Sequence, residues 1–179
     1  MFKFQEKILL HQIKNGNQQA FAHIYDLYQD KIYRFVYFRV SNENLAQDLT
    51  SEIFIKVLDY LKNGKEIENF QSFIYKIARN LIIDFYRQAG QEELPIDEFV
   101  EENIPEEKDL IGAINDKFEL EKIQEALSQI PDQYREVIIL RFIEDLSFKE
   151  IAKIMDLKEA HTRMLAHRGL KLLRQQISK

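Results

Sequence analysis

A scarcity of turn-forming residues restricts this chain more than any other feature of its sequence. Only five glycines and three prolines occur in 179 residues, and the strands of a sheet need turns that these residues usually supply. Apolar side chains instead recur at intervals of three and four residues, as at Phe21, Ile24, Tyr25 and Tyr28. This is the spacing of one face of a helix, and the sequence therefore predicts an all-α fold.

The first 88 residues contain four helical patterns. A short one ends at Asn15-Gly16, and a longer one covers about residues 18–39. The segment 41–44 (SNEN) and Asn69 offer N-cap side chains for the third and fourth patterns, and the fourth ends near residue 88. These four helices predict an N-terminal domain over residues 1–88.

Residues 89–112 lack this periodicity and predict an acidic linker. The stretch between Glu92 and Glu125 holds thirteen acidic residues and only three lysines, so its net charge is −10. Because the whole chain carries −5, the remainder carries +5. The negative total therefore conceals two mildly basic parts joined by an acidic one.

Residues 113–179 predict a second helical domain that ends in a helix-turn-helix. Ser147-Phe148-Lys149-Glu150 has the S-x-x-E pattern of a capping box, which marks the start of a helix. That helix is expected to end by Met155, and a final helix is expected to run from about residue 159 to 177. A short helix, a tight turn and a longer helix are typical of a motif whose second helix enters the major groove of DNA.

The final helix has two chemically different sides. We expect an apolar side to face the core, formed by Thr162, Leu165, Gly169, Leu170 and Leu173. The other side is expected to carry Arg163, Met164, His167, Arg168 and Lys171. Arginine can bind guanine with two hydrogen bonds, methionine can contact a thymine methyl group, and lysine suits phosphates. A helical hairpin with a solvated basic face explains the same pattern, so the motif alone leaves both interpretations open.

Other function classes find little support in the sequence. There is no cysteine, the four histidines are dispersed, and no glycine-rich phosphate loop occurs, so neither an enzyme, a cofactor nor a metal site is expected. No long apolar segment suggests a signal peptide or membrane insertion. We therefore expect a cytoplasmic protein. A helix-turn-helix protein that regulates transcription on its own, without being a polymerase subunit, is one function that these features allow.

Two stretches that cover most of the chain resemble bacterial sigma factors of the extracytoplasmic-function (ECF) group. Residues 18–61 and 70–88, which include IARNLIIDFYR, are similar to the N-terminal conserved region of that group. Residues 127–177 are similar to its C-terminal region, with Ile130-Pro131 in place of the usual Leu-Pro. The two regions occur in the order of the family, with a linker between them.

This resemblance implies a transcription initiation factor that joins core RNA polymerase, recognises promoter −10 and −35 elements and promotes DNA melting, without catalysis of its own. The resemblance also allows an anti-sigma factor as a partner. It places the polymerase contact around AQDLTSEIF, and the matching residues are Asp48, Leu49, Ser51, Glu52 and Phe54. Leu49 and Phe54 are expected either to act as apolar anchors, with acidic side chains beside them, or to belong to the core, which is expected of at least one of the two.

The resemblance also implies two DNA contacts. The open strand of the −10 element is expected against the loop 63–69 and the helix that follows, at Lys65, Asn69, Lys76, Arg79, Asn80, Asp84 and Arg87. The −35 duplex is expected at Lys158, Glu159, Arg163, Met164, His167, Arg168 and Lys171. Phe73 replaces the usual tryptophan, and Ala160-His161-Thr162 replaces the usual Gly-Thr-Val. The aromatic rings of the −10 region are expected to serve mainly in core packing.

Overall fold

The computed structural model describes residues 2–64, 66–90, 98 and 120–177. Over these ranges the chain forms helices and no strand, as the composition predicts. The N-terminal helices are α1 (Phe2–Lys14), α2 (Gln18–Val40), α3 (Glu43–Lys62) and α4 (Phe70–Gln88). The C-terminal helices are α5 (Leu120–Ser128), α6 (Asp132–Ile138), α7 (Phe148–Met155) and α8 (Glu159–Ile177), and a π-helical turn (Ile139–Ile143) continues α6.

Asparagine side chains start three of the N-terminal helices. The Oδ1 of Asn17 accepts the N–H of Gln19 at 3.0 Å, Asn42 caps α3, and Asn69 accepts the N–H of Ser72 at 2.9 Å. Each bond satisfies an amide that has no partner within its own helix. The caps expected within residues 41–44 and at Asn69 are therefore confirmed.

The chain divides into two compact units, Met1–Gly90 and Gln91–Lys179. In the first unit, α2 packs against α3 and α4, and α1 packs against α2 and α3. The rings of Phe35 and Tyr75, both fully buried, meet edge to face with centroids 5.3 Å apart. The guanidinium of Arg39, which is only 1% exposed, lies 5.8 Å from the centre of the Phe35 ring. Aromatic packing therefore forms much of this core.

In the second unit, α8 contacts α5, α6 and α7. It lies close to α6 at Gly169, where a Cβ atom would lie 3.0 Å from Cδ1 of Ile138 and 3.1 Å from Cβ of Tyr134. Such distances leave almost no room for a methyl group. Glycine at this position therefore allows α6 and α8 to cross closely.

The helix that starts after Pro131 changes its hydrogen-bond pattern midway. The sequence predicts one regular helix from Pro131 to about Glu144, but residues 139–143 form a π-helical turn. The N–H of Glu144 donates to the carbonyl oxygen of Ile139, five residues earlier, at 2.9 Å. This extra residue per turn shifts the side chains that follow it around the helix axis.

Most of the predicted acidic linker, residues 89–112, lies outside the described residues, so its boundaries stay a prediction. Among the helices in the described ranges, none combines the length and the apolar character that a membrane crossing requires.

Candidate nucleic-acid and polymerase interfaces

The centre of the C-terminal unit is a pair of helices joined by a tight turn. The Oγ of Ser147 accepts the N–H of Glu150 at 3.3 Å, and Oε2 of Glu150 accepts the N–H of Ser147 at 3.0 Å. The predicted capping box is thus confirmed. Asp156 ends α7 with a left-handed φ of 55°, and the N–H of Leu157 donates to the carbonyl oxygen of Ala152 at 2.9 Å. Helices α7 and α8 therefore form a helix-turn-helix.

One side of α8 presents side chains at four-residue intervals. Glu159, Arg163 and Lys171 are exposed, and His167, which lies between the last two, is half-buried. We call these four residues the recognition stripe. Residues four apart lie on the same face of a helix, so the stripe forms a continuous surface that a DNA groove can contact. Lys158 is exposed just before α8, and Arg168 is half-buried beside the stripe.

The expectation that Met164 lies on this exposed side is wrong. Its side chain is fully buried, with a relative exposure of 0%. Because α8 contacts three other helices, its buried side is wider than the apolar stripe that the sequence indicates. Met164 therefore belongs to the core and is not available for a thymine methyl group in this structure.

The candidate −10 residues lie along α4 and just before it. Asn80, Asp84 and Arg87 are exposed, and Lys76 and Arg79 are half-buried. The nearest oxygen of Asp84 lies 3.5 Å from Arg87, in a solvent-exposed ion pair. Asn69 uses its amide oxygen to cap α4, and Lys65 lies outside the described residues.

The aromatic residues of this region are largely engaged in packing, as expected. Tyr75 is fully buried, and the hydroxyl of Tyr86 donates to the carbonyl oxygen of Arg39 at 3.2 Å. Phe73 is half-buried, with its ring centroid 4.4 Å from that of Tyr60. Tyr75 is therefore not accessible, whereas Phe73 and Tyr86, which are both half-buried, each combine a fixed position with an accessible part.

The candidate polymerase residues on α3 divide into exposed and buried ones. Asp48, Ser51 and Glu52 are exposed. Leu49 and Phe54 are only 5% and 3% exposed, so both belong to the core, as the alternative expectation allowed, and neither offers an apolar anchor on the surface in this structure. These two side chains point toward the other helices of the unit, and the Phe54 ring packs 4.6 Å from that of Tyr25.

The same helix carries an exposed apolar side chain that was not predicted from the sequence as a candidate for the polymerase contact. Ile55 is 60% exposed and lies three and four residues after Glu52 and Ser51. It therefore shares the outer face of α3 with the polar candidates. The three- and four-residue spacing from those candidates was the signal in the sequence that could have identified it.

Family comparisons match both units. The Sigma-70 region 2 family matches residues 24–92, and the Sigma-70, region 4 family matches residues 120–173. The ECF RNA polymerase sigma factor SigW of Bacillus subtilis (strain 168) is 33% identical, and the alignment covers 93% of each chain. The ECF RNA polymerase sigma factor SigX of the same strain is 30% identical, with coverage of 88% of this chain and 83% of SigX.

Two solved structures have a similar fold. CnrH, solved in complex with the cytosolic domain of CnrY, has a TM-score of 0.73 at 20% identity and 97% coverage of each chain. The sigma factor RpoE of Bartonella quintana, solved with the anti-sigma factor NepR, has a TM-score of 0.66 at 18% identity. That comparison covers 89% of this chain and 98% of RpoE.

Both conserved regions thus occur in one chain, in the order of the sigma-70 family, and the relatives match over nearly the full length. This combination favours an initiation factor over a regulator that acts without polymerase. The chain belongs to the ECF group of RNA polymerase sigma factors and is a promoter-recognising transcription initiation factor, not an enzyme.

Proposed function

We propose that the recognition stripe of α8 reads the −35 element in duplex DNA. The observation that carries this proposal is the row formed by the exposed side chains of Glu159, Arg163 and Lys171 and the half-buried His167 on the second helix of the helix-turn-helix. Arg163 is suited to a guanine edge, and Lys158 and Lys171 are suited to phosphates. Arg168, half-buried beside the stripe, is a further candidate for the phosphate backbone.

In the same proposal, α4 holds the opened strand of the −10 element. Lys76, Arg79 and Arg87 supply positive charge for the backbone, and the exposed amide of Asn80 can bind an unstacked base. The nearby carboxylate of Asp84 can accept a hydrogen bond from a base amino group. Asn69, which caps α4, and Lys65, four residues earlier in the sequence, are further candidates for this contact.

Core RNA polymerase binds, in this proposal, to the outer face of α3. Asp48 and Glu52 offer negative charge, Ser51 is small, and Ile55 supplies apolar area at the C-terminal end of this row of residues. Interfaces often combine a buried apolar anchor with a charged rim. Ile55 takes the anchoring role that the sequence assigned to Leu49 and Phe54.

We further propose the domain limits 1–88 and 113–179, with the acidic residues 89–112 as the linker between them. The linker charge suits a basic channel of the polymerase. An anti-sigma factor is an additional proposed partner, since RpoE was solved with the anti-sigma factor NepR. Because RNA polymerase and promoter DNA meet in the cytoplasm, we infer that the chain acts there.

Run-off transcription with bacterial core polymerase on a pool of randomised promoters tests this function. We expect RNA synthesis to start at defined positions downstream of selected −35 and −10 sequences. Arg163→Ala is expected to relax the preference at one −35 base pair, and Asn80→Ala is expected to impair only the −10 preference. Random initiation, or failure to form a complex with core polymerase, would contradict the proposal.

A further inference from the structure

The guanidinium of Arg163 is held from two directions. Its Nη2 lies 2.8 Å from Oε1 of Glu159, one helical turn earlier. Its Cζ lies 4.5 Å from the centre of the Phe148 ring, which belongs to the first turn of α7. The ion pair restrains one edge of the group and the ring restrains its face. The other N–H groups of Arg163 have no hydrogen-bond partner within the described residues and remain available to a ligand.

Phe148 is itself fixed by the helix-turn-helix. Its side chain is only 5% exposed, and its backbone follows directly after the Ser147 cap. The hydroxyl of Thr162 lies 2.8 Å from the carbonyl oxygen of Glu159 and 3.4 Å from that of Phe148. Arg141 lies 5.2 Å from the centre of the same ring. The ring therefore has little freedom to follow an arginine that moves.

A stacked arginine differs physically from a free one. An arginine side chain loses rotamer entropy when it is ordered, and this loss opposes binding to a base. A cation–π contact favours the position of the guanidinium over the ring. Because Arg163 is already restrained before DNA arrives, less of this entropy is lost when it binds, and its direction is set in advance.

We infer that Phe148 is a positioning residue for promoter recognition, although it is buried and does not contact DNA itself. Its ring sets the direction of the Arg163 guanidinium, and the base pair that Arg163 prefers therefore depends on the side chain at position 148. This inference rests on the proposed role of α8 at the −35 element. It extends that role to a specificity-determining residue in the core.

The test uses the full chain, core polymerase and a library randomised at the −35 element. Arg163→Ala first identifies the base pair whose preference depends on Arg163. Phe148→Leu removes the ring, and we expect it to lower the preference at that base pair about fivefold. The preferences at the other positions and the salt dependence of binding should stay unchanged, because no positive charge is removed. A purely structural role of Phe148 would affect all positions equally.

Two control variants separate ring chemistry from stability. Phe148→Tyr keeps an aromatic face and should keep the preference. The side chain of Ile151, in the same helix, is fully buried, and Ile151→Val should lower the stability of the chain without changing the preference. Full preference in Phe148→Leu, together with its loss in Arg163→Ala, would overturn the inference. Unchanged preference in Arg163→Ala would instead refute the proposed role of Arg163, and the inference with it.

A measurement on the unsubstituted chain covers the case in which Phe148→Leu does not fold. A ring current shifts protons that lie over an aromatic face to higher field. We expect the side-chain protons of Arg163 to show this shift in an NMR spectrum of the full chain. Arg163 proton shifts typical of a free arginine would overturn the inference.

Discussion

Among the single side chains, Arg135 makes several hydrogen bonds to main-chain carbonyls at once. Its Nε donates to the carbonyl oxygen of Leu127 at 2.8 Å, and its Nη2 donates to those of Ser128 and Ile130 at 3.1 and 3.0 Å. These carbonyls lie at and just beyond the C-terminal end of α5, where a helix leaves its last acceptors without partners. Arg135 therefore joins the end of α5 to α6.

Replacement of Arg135 by methionine is expected to lower the free energy of unfolding of the C-terminal unit by about 2 kcal/mol, because three acceptors lose a charged donor. Hydrogen exchange of the amides of α5 and α8 measures this change within the full chain. Arg135→Lys keeps the charge but not the planar fork, and it should give an intermediate loss. Equal stability of all three proteins would contradict the role of the guanidinium.

Met164 provides a second prediction at this scale. Because its side chain is fully buried, Met164→Ala is expected to destabilise the C-terminal unit by about 3 kcal/mol. Met164→Leu conserves the volume of the side chain, so the unfolding midpoint should change little. The −35 preference should stay the same. Urea unfolding and promoter selection measure the two effects. A changed base preference in Met164→Leu would show that this side chain reaches DNA after all.

The sequence predicted correctly whether a side chain of α8 is buried or exposed when that side chain lies near the middle of a helix face. Thr162, Leu165 and Leu173 are buried as expected, and Arg163 and Lys171 are exposed. The burial of a side chain at the edge of a face depends on how many neighbouring helices pack there. That number is a property of the tertiary structure, and a periodicity in the sequence does not contain it.

At the scale of whole elements, the proposed role of the outer face of α3 can be tested by a substitution at Ile55. Ile55→Ser is expected to weaken binding to core polymerase about tenfold, since it removes an exposed apolar anchor. Because Ile55 is 60% exposed, the substitution should leave the stability of the chain almost unchanged. A titration of core polymerase with the labelled chain measures the affinity.

Ile8→Ser is the matched control for Ile55→Ser. Ile8 is 44% exposed but belongs to α1, and its replacement should leave the polymerase affinity as it is. If both variants lose affinity equally, or if neither does, α3 has no special part in the interface.

The ends of a helix could be predicted from the sequence where capping residues mark them. The capping box at Ser147 and the end of α7 at Met155 agree with the structure, as does α8 from Glu159 to Ile177. The π-helical turn at residues 139–143 was not predicted. Its apolar side chains suit a regular helix equally well, and the packing of this turn against α7 is a property of the tertiary structure that the sequence pattern does not contain.

For the whole molecule, the distribution of charge matters more than its sum. The net charge is −5, although the chain outside residues 92–125 carries +5. A negative total repels free DNA at long range. Binding to core polymerase supplies additional contacts, so this charge does not prevent promoter binding by the complex.

Neutralisation of five acidic residues in the proposed linker tests whether the negative charge of the free chain weakens its binding to DNA. In the quintuple variant, Glu101, Glu102, Glu106 and Glu107 become glutamine and Asp109 becomes asparagine, which brings the net charge close to zero. We expect the free chain to bind non-specific duplex DNA several-fold more tightly, and the difference should disappear at high salt. A fluorescence-anisotropy titration at two salt concentrations measures this. Unchanged affinity at low salt would contradict the prediction.

The recognition stripe lies outside the core that holds α8 in place. Exposed positions usually tolerate substitution within about 0.5 kcal/mol, so Glu159, Arg163 and Lys171 can change at little cost to folding, whereas His167 is half-buried. Relatives of this chain can therefore diverge in the promoters they select while the scaffold stays constant. The same freedom is open to an engineer who wants an orthogonal promoter system, provided that the side chains at positions 148 and 163 are chosen as a pair.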